Sequence, residues 1–159
     1  MSEMNENLSA GCRAFVGIDP GKLGALVLLW EDGREAIRLP FDPVAYRDTL
    51  RILDPASTLV VLEHVGAMPG QGVTSCFSFG ENFGFIRGLL EAFRLPYELV
   101  RPQRWKKAFS CTSDKNTSIE VARRLFPWFS LKRTPRCTKD DDGLAEALLM
   151  AEYARRLRA

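Results

Sequence analysis

Two acidic residues of this sequence each follow directly on an apolar segment. Asp19 ends the segment AFVGI, and Glu63 ends the segment TLVVL. Burying a carboxylate beside apolar residues is costly without compensation, so this placement suggests a chemical role. If the two segments are neighbouring strands, the carboxylates face each other at one edge of a sheet. Two close carboxylates repel unless a cation lies between them, and such oxygen ligands suit Mg²⁺ or Mn²⁺. Each acid taken alone could instead be a strand-terminal cap.

A third acidic element lies in the segment KDDDGLAEALLMA near the end of the chain. Asp142 and Glu146 are four residues apart, so on a helix their side chains share one face. Like charges at that spacing destabilise a helix, and a bound cation would turn the pair into ligands. Asp140 and Asp141 have a structural explanation, because the first turn of a helix favours negative charge.

The elements around these acids predict an α/β domain with a mixed sheet. Strands are predicted at residues 14–18, 24–30, 35–39, 58–62 and 97–100. Helices are predicted at residues 43–53, 82–93, from 113 or 114 to 126, and 140–158. A Gly-rich loop over residues 66–72 precedes the second of these helices. Three antiparallel strands followed by alternating strands and helices are typical of an α/β domain.

Length and composition indicate one globular domain. The chain has 159 residues, of which 46% are hydrophobic and 26% charged, and these values are ordinary for a globular protein. We expect a flexible N-terminal segment over residues 1–12 and one domain over residues 13–159. No apolar run approaches the roughly 18 residues of a membrane helix, and the polar N-terminus predicts a cytoplasmic protein. The four cysteines form no CxxC pair and His64 is the only histidine, which argues against a zinc site.

The charge is distributed unevenly along the chain. Residues 1–100 contain 8 Lys and Arg against 13 Asp and Glu, whereas residues 101–159 contain 14 against 7. This asymmetry suggests an anionic partner for the C-terminal part, although a solvated basic surface is the alternative. The candidate phosphate contacts are Arg101, Arg104, Lys106, Lys107, Lys132 and Arg133.

Four segments together resemble a known family. GIDPGKLGALVLL, LEHVGAMPGQG, WKKAF and DGLAEALLMAEYARR occur in this order within residues 14–157. They resemble the RuvC-like Holliday junction resolvases, most closely the phage-type and chloroplast-type branch. The resemblance implies an RNase H-like fold, with a five-stranded mixed sheet flanked by helices, and a homodimer with two-fold symmetry. It further implies paired cleavage of four-way DNA junctions in recombination and repair, with two Mg²⁺ or Mn²⁺ ions per active site and 5′-phosphate products.

The resemblance also assigns site residues by position. The metal-binding and catalytic acids that it implies are Asp19, Glu63, Asp142 and Glu146. The last two acids are three residues apart in bacterial RuvC and four apart here, which leaves open whether Asp141 or Asp142 completes the site. Lys115 falls at the position of an active-site lysine, where an ammonium could stabilise charge on the phosphate. Its alternative is a lysine at a helix start that only contacts DNA.

Two aromatic residues near the Gly-rich loop have two possible functions. Phe77 and Phe79 flank a segment that we predict to be flexible. They could be wedges that stack on unpaired bases at the crossover of a junction. Equally, they could lie in the dimer interface.

Three other functions are compatible with part of the pattern. The Asp-Pro-Gly turn also occurs in ATP-binding proteins of the actin and sugar-kinase type, but those need two such domains, and 159 residues hold one. A non-catalytic junction-binding module is disfavoured because every predicted metal-binding acid is present. A nuclease of the same fold that acts on RNA or on a DNA flap stays open.

Overall fold

The computed structural model describes residue 6 and residues 11–159. Residues 1–5 and 7–10 of the expected flexible segment 1–12 lie outside this part, so that segment and the boundary at residue 13 stay predictions. Among the described residues, no helix combines the length and the apolar character needed to cross a membrane.

A mixed sheet of five strands forms the centre of the protein. The strands are β1 (Ala14–Ile18), β2 (Ala25–Trp30), β3 (Glu35–Pro40), β4 (Thr58–Glu63) and β5 (Tyr97–Val100). Their spatial order is β3-β2-β1-β4-β5. β1, β2 and β3 pair in antiparallel fashion, whereas β4 runs parallel to both β1 and β5. The predicted five-stranded mixed sheet is confirmed.

Within residues 11–159, five helices flank the sheet. They are α1 (Pro43–Arg51), α2 (Val73–Ala92), α3 (Pro102–Ala108), α4 (Lys115–Leu125) and α5 (Asp142–Leu157). The helix α3 was not predicted from the sequence. It begins at Pro102, a residue that is well suited to the first turn because its missing N–H would have no helical partner there.

The prediction for α2 was wrong at its N-terminal end. The helix begins at Val73, nine residues before the predicted start, so Phe77 and Phe79 lie on a helix and not beside a flexible loop. Its glycines lower its helix propensity, but tertiary packing overrides propensity. Ile86 and Leu90 are fully buried, and the Phe79 and Phe83 rings stack one turn apart with centroids 6.3 Å from each other.

The sheet separates two apolar cores. On one face, β-strand residues such as Val27 and Val61 pack with α3, α4 and α5. On the other face, Val16 and Leu62 pack with α1 and α2. β1 and β4 are buried on both faces, as expected for the inner strands of an α/β sheet.

The close approach of α5 to β1 depends on a glycine. A Cβ atom at Gly17 would lie 2.1 Å from the Ala147 carbonyl oxygen and 2.3 Å from the Ala151 nitrogen, so no larger residue fits. The helix therefore lies directly against the strand that ends in Asp19. This contact brings Glu146, in the N-terminal half of α5, to the same edge of the sheet.

Candidate metal centre

Asp19 and Glu63 lie at the same edge of the sheet. The parallel register pairs Ile18 of β1 with Leu62 of β4, so the residues that follow, Asp19 and Glu63, come next on neighbouring strands. From the sequence we expected the two acids to face each other only if β1 and β4 are neighbouring strands. That pairing is confirmed. Glu63 is only 6% exposed.

Asp19 is held by the turn that follows β1. Its backbone N–H donates to the Ala25 carbonyl at 3.0 Å, and its Oδ1 accepts from the Gly21 N–H at 3.0 Å. Burial raises the pKa of Asp19 to about 6; the Gly21 hydrogen bond lowers it, and the charges of Glu146 and Asp142 raise it further. The turn thus fixes one oxygen of a carboxylate whose charge is poorly compensated.

Glu63 has a similar environment with a different donor. Burial raises its pKa to about 7, the nearby Asp19 raises it further, and Glu146 adds to the same effect. A hydrogen bond from the Trp105 indole Nε1 to Oε2, 2.7 Å long, lowers the pKa in part. This donor is neutral and adds no positive charge of its own, whereas the charge of Lys106 also lowers the pKa of Glu63.

Glu146 faces a lysine that the sequence assigned to DNA. Lys106 Nζ lies 3.2 Å from Glu146 Oε1, an ion-pair distance. That oxygen is buried and accepts no hydrogen bond of acceptable geometry, so the contact is a charge interaction alone. The Lys106 side chain is 18% exposed, because α3 turns it inward towards α5. The structure thus places Lys106 beside the acids and away from the solvent.

Asp142 and Asp141 have different partners. Asp141 is the N-cap of α5, accepting from the Leu144 N–H at 2.8 Å, and it also pairs with Arg133 at 2.8 Å. Asp142 accepts a hydrogen bond from Lys115 Nζ. This bond raises the pKa of Lys115, so the lysine stays charged at neutral pH. The sequence left open whether Asp141 or Asp142 completes the site. The charge of Asp142 contributes to the raised pKa of Asp19.

The acids are close neighbours without forming a closed ligand cage. Within residue 6 and residues 11–159, no three Asp, Glu, His or Cys side chains are grouped as a metal cage. The charge of Glu146 nevertheless raises the pKa of both Asp19 and Glu63, and the charge of Asp19 raises that of Glu63, so the three side chains are close neighbours. All of the donors are carboxylate oxygens, and one buried oxygen of Glu146 accepts no hydrogen bond. Such a set fits a hard divalent cation such as Mg²⁺ or Mn²⁺.

A basic cavity opens beside Glu63. It has a volume of about 620 Å³ and is lined by His64, Leu99, Arg101, Gln103, Arg104 and Lys107. Three of the predicted phosphate contacts therefore share one surface, next to the strand end that carries Glu63. A second cavity of about 590 Å³ follows α3 on the side of Lys106 and Ser113. Together they make α3 the border between the acids and the basic surface.

Lys132 and Arg133 are engaged within the protein. Lys132 Nζ lies 2.6 Å from Asp140 Oδ1, and Arg133 pairs with Asp141 and donates to the Leu23 carbonyl. These contacts connect the basic loop to the start of α5 and to the turn after β1. Both side chains therefore have a structural role that their charge did not reveal.

The two phenylalanines occupy different faces of α2. Phe77 is 73% exposed. Phe79 is partly buried and stacks on Phe83, whose ring in turn stacks on His64 at a centroid distance of 6.0 Å. Phe79 therefore belongs to a row of rings that leads to the strand end at Glu63, whereas Phe77 projects outwards.

The sequence did not identify Trp105 and His64 as site residues. The available signal for Trp105 was its N–H, which needs a partner when the residue is buried. His64 directly follows Glu63, but its ring direction depends on the packing of Phe83.

The topology and the packed helices define the RNase H-like fold, and comparison with solved structures agrees. The chain resembles Thermus thermophilus RuvC in complex with Holliday junction substrate, with a TM-score of 0.57 at 20% identity over 92% of this chain and 98% of that one. A second T. thermophilus RuvC structure gives 0.56 at 18% identity over 90% and 96%. The yeast mitochondrial Holliday junction resolvase Ydc2 gives 0.51 at 14% identity over 89% and 77%. No protein-family model and no curated protein matches the sequence.

Proposed function

We propose that the protein is a metal-dependent endonuclease that cleaves four-way DNA junctions. The observation that carries this proposal is the group of poorly compensated buried acids at the edge of β1 and β4, next to a basic surface. The fold is shared with RuvC, one of whose structures holds a Holliday junction. The quoted sequence segments support a position in the branch with the phage-type and chloroplast-type enzymes as part of this proposal, and a cytoplasmic location remains our expectation.

The proposed metal ligands are Asp19, Glu63, Asp142 and Glu146. They would hold two Mg²⁺ or Mn²⁺ ions per active site. Divalent ions, when bound, supply activation of water and stabilisation of the leaving 3′ oxygen, so the product carries a 5′-phosphate. Asp142 is preferred over Asp141 because Asp141 already serves as helix cap and as partner of Arg133.

Lys115 would supply positive charge to the reacting phosphate. It lies at the first residue of α4 and is largely exposed, and its hydrogen bond to Asp142 keeps it at the border of the acid group. An ammonium held at that position stabilises negative charge most where charge develops, in the transition state. We therefore assign it a catalytic role beyond simple DNA contact.

The phosphate backbone of the junction would follow the basic cavity beside α3. Arg101, Arg104 and Lys107 line this cavity together with His64, and a row of cations attracts the DNA backbone irrespective of sequence. Lys132 and Arg133 are less suitable contacts, since their charges are partly neutralised by Asp140 and Asp141.

We also propose a two-fold homodimer that uses the exposed face of α2. Gly80, Gly84 and Gly88 recur every four residues on this face, and a Cβ atom at any of them would meet nothing within 4 Å. Each glycine within a helix lowers the stability of the helix by about 1 kcal/mol relative to alanine. The open space around these three glycines shows that packing within one chain does not require them. Val73 and Phe77 are largely exposed on the same face. Close helix packing between two copies accounts for both features, and it favours Phe77 as an interface residue.

Sedimentation tests this assembly. The wild type should have about twice the chain mass of 17.9 kDa, so that each strand of a two-fold junction meets one site. Gly84→Leu should shift the protein towards monomer without loss of folding, because the chain itself leaves space there. Arg124→Leu, which adds the same side chain to the exposed side of α4, should stay dimeric. A monomeric wild type with symmetric paired nicks would refute the dimer.

The substrate test compares DNA structures directly. Labelled four-way junction, duplex, flap DNA and RNA–DNA hybrid are incubated with the protein, with and without Mg²⁺. The proposal expects cleavage of the junction at paired sites only with metal, with ends that DNA ligase can rejoin. Preferential cleavage of the flap or the hybrid would assign another nuclease activity to the same site. Tight junction binding without cleavage in the presence of Mg²⁺ would indicate a binding module.

A further inference from the structure

A buried tryptophan donates directly to one of the proposed ligands. Trp105 is fully buried, and its indole Nε1 lies 2.7 Å from Oε2 of Glu63. The indole ring is part of the apolar core under α5, so its position is fixed by packing as well as by the hydrogen bond. Neither contact is explained by DNA binding, although the residue lies in a basic helix.

We propose that Trp105 is a positioning residue for Glu63. Its N–H fixes Oε2 of the carboxylate, which leaves Oε1 available for a divalent cation. This inference rests on the proposed function, specifically on Glu63 as a metal ligand. A hydrogen bond of this kind around a ligand orients the donor atom and commonly determines metal affinity.

The chemistry of the donor distinguishes Glu63 from the two acids of α5. Glu146 faces the ammonium of Lys106, and Asp142 faces that of Lys115. An ammonium competes with a metal ion for the charge of a carboxylate. The indole N–H orients the carboxylate without adding a positive charge of its own. Trp105 therefore orients Glu63 for binding a cation, whereas a lysine at the same place would repel the cation.

The architecture of α3 supports the same role. Trp105 and Lys106 are consecutive, and they contact Glu63 of β4 and Glu146 of α5 respectively. The Lys106 ammonium also lies 5.3 Å from the centre of the Trp105 ring. One short helix thus sets the position of two acids that come from different elements. A change in Trp105 should therefore alter metal binding more than DNA binding.

The direct test follows the indole N–H signals of the wild-type protein by NMR. The chain has three tryptophans, Trp30, Trp105 and Trp128, so single Trp→Phe variants assign the three signals. Addition of Mg²⁺ without DNA should shift the Trp105 signal, whereas the signal of the exposed Trp128 should not move. An unmoved Trp105 signal, in a protein that a Mn²⁺ titration shows to bind metal, would overturn the proposal.

A second test removes only the N–H group. Site-specific replacement of Trp105 by benzothienylalanine keeps the shape of the ring and puts sulfur in place of the N–H. The metal concentration for half-maximal single-turnover cleavage should rise by about 10- to 100-fold, with recovery at saturating metal, and Mn²⁺ affinity without DNA should fall equally. The same replacement at Trp128 is the matched control. Unchanged metal affinity would refute the role of Trp105 alone, whereas a wild type without metal binding or cleavage would refute the proposed function as well.

Discussion

The N-terminal end of α5 separates two groups of acidic side chains with opposite surroundings. On one side, Asp140 lies between Arg123 and Lys132, and the hydrogen bond from Lys132 is the main reason that the pKa of Asp140 is lowered. Asp141 is paired with Arg133 and caps the helix. These carboxylates have partners of opposite charge and fix the basic loop.

On the other side, the same chemical group is left with too few partners. Burial raises the pKa of Asp19 to about 6 and that of Glu63 to about 7; the charge of Asp19 adds to the shift of Glu63, and the charge of Glu146 adds to both. The nearest cation to Glu146 is Lys106, which gives it no hydrogen bond of good geometry. A buried acid without compensation is unfavourable for stability, and such residues are concentrated at functional sites.

The comparison shows that proximity in sequence does not define a site. Asp140, Asp141 and Asp142 are consecutive, yet the first two are paired with the basic loop and only the third turns towards Lys115 and Asp19. Pairing with the basic loop therefore distinguishes the structural acids Asp140 and Asp141 from the candidate metal ligands better than position in the sequence does.

The largest expected effect comes from removing one uncompensated acid. Asp19→Asn, Glu63→Gln or Glu146→Gln should each lower the single-turnover cleavage rate by about 10³-fold or more, because metal ions contribute several kcal/mol to such reactions. Junction binding should change little. Asp140→Asn is the matched control and should keep a rate close to that of the wild type. Full activity in any one of the three variants would remove that residue from the site.

The next effect separates two lysines with different surroundings. Lys115→Ala should reduce single-turnover cleavage at saturating protein by about 10²-fold with little change in binding, since its contribution grows with charge in the transition state. Lys107→Ala should weaken binding and lower the salt slope by about one, with normal cleavage at saturation. Complete recovery of Lys115→Ala at saturating protein would make Lys115 a phosphate contact only.

For Asp140 and Asp141, which are paired with the basic loop, the expected effect of a substitution is on the free energy of unfolding. Arg133→Ala should lower the free energy of unfolding by about 3 kcal/mol, because it removes the guanidinium that pairs with Asp141 and donates to the Leu23 carbonyl. Denaturant unfolding measures this loss. At a temperature where the variant is folded, cleavage should be retained. A stable Arg133→Ala variant with weakened junction binding would instead support the phosphate contact expected from the sequence.

The smallest expected effect is the pH dependence of the metal-free protein. The pKa values of Asp19 and Glu63 are raised on folding, so the folded state holds protons that the unfolded state has released. Stability from these groups is complete below their ordinary pKa values of 3.8 and 4.5 and is lost as the pH rises through about 6 and about 7. Without metal, raising the pH from about 6 to about 8 should lower the free energy of unfolding by an amount on the order of 2 kcal/mol. Thermal unfolding should show a flatter profile for Glu63→Gln, and an equal slope in both proteins would contradict the assignment.

Much of this arrangement could be predicted from local sequence. Asp19 and Glu63 are identified because each ends an apolar strand, and Asp142 and Glu146 because their spacing matches a helical turn. These signals are short-range, and the strands and α5 that carry them were predicted correctly to within a few residues.

The remaining features depend on contacts between distant segments. Lys106 and Lys107 are adjacent and chemically equivalent in the sequence, but α3 turns Lys106 towards Glu146 and leaves Lys107 in the basic cavity. The direction in which such side chains point is fixed only when the helices pack on the sheet. Charge and periodicity in the sequence therefore do not predict it.

The central claim is that the acids grouped around Asp19 and Glu63, and not the acids paired with the basic loop, bind the divalent cation. Calorimetric titration of Mn²⁺ into the DNA-free protein near neutral pH tests it most directly, with the wild type, Glu63→Gln and Asp140→Asn compared under identical conditions. We predict saturable binding to the wild type and to Asp140→Asn, with a loss of at least about 10-fold in affinity for Glu63→Gln. Unchanged affinity in Glu63→Gln together with lost affinity in Asp140→Asn would contradict the account.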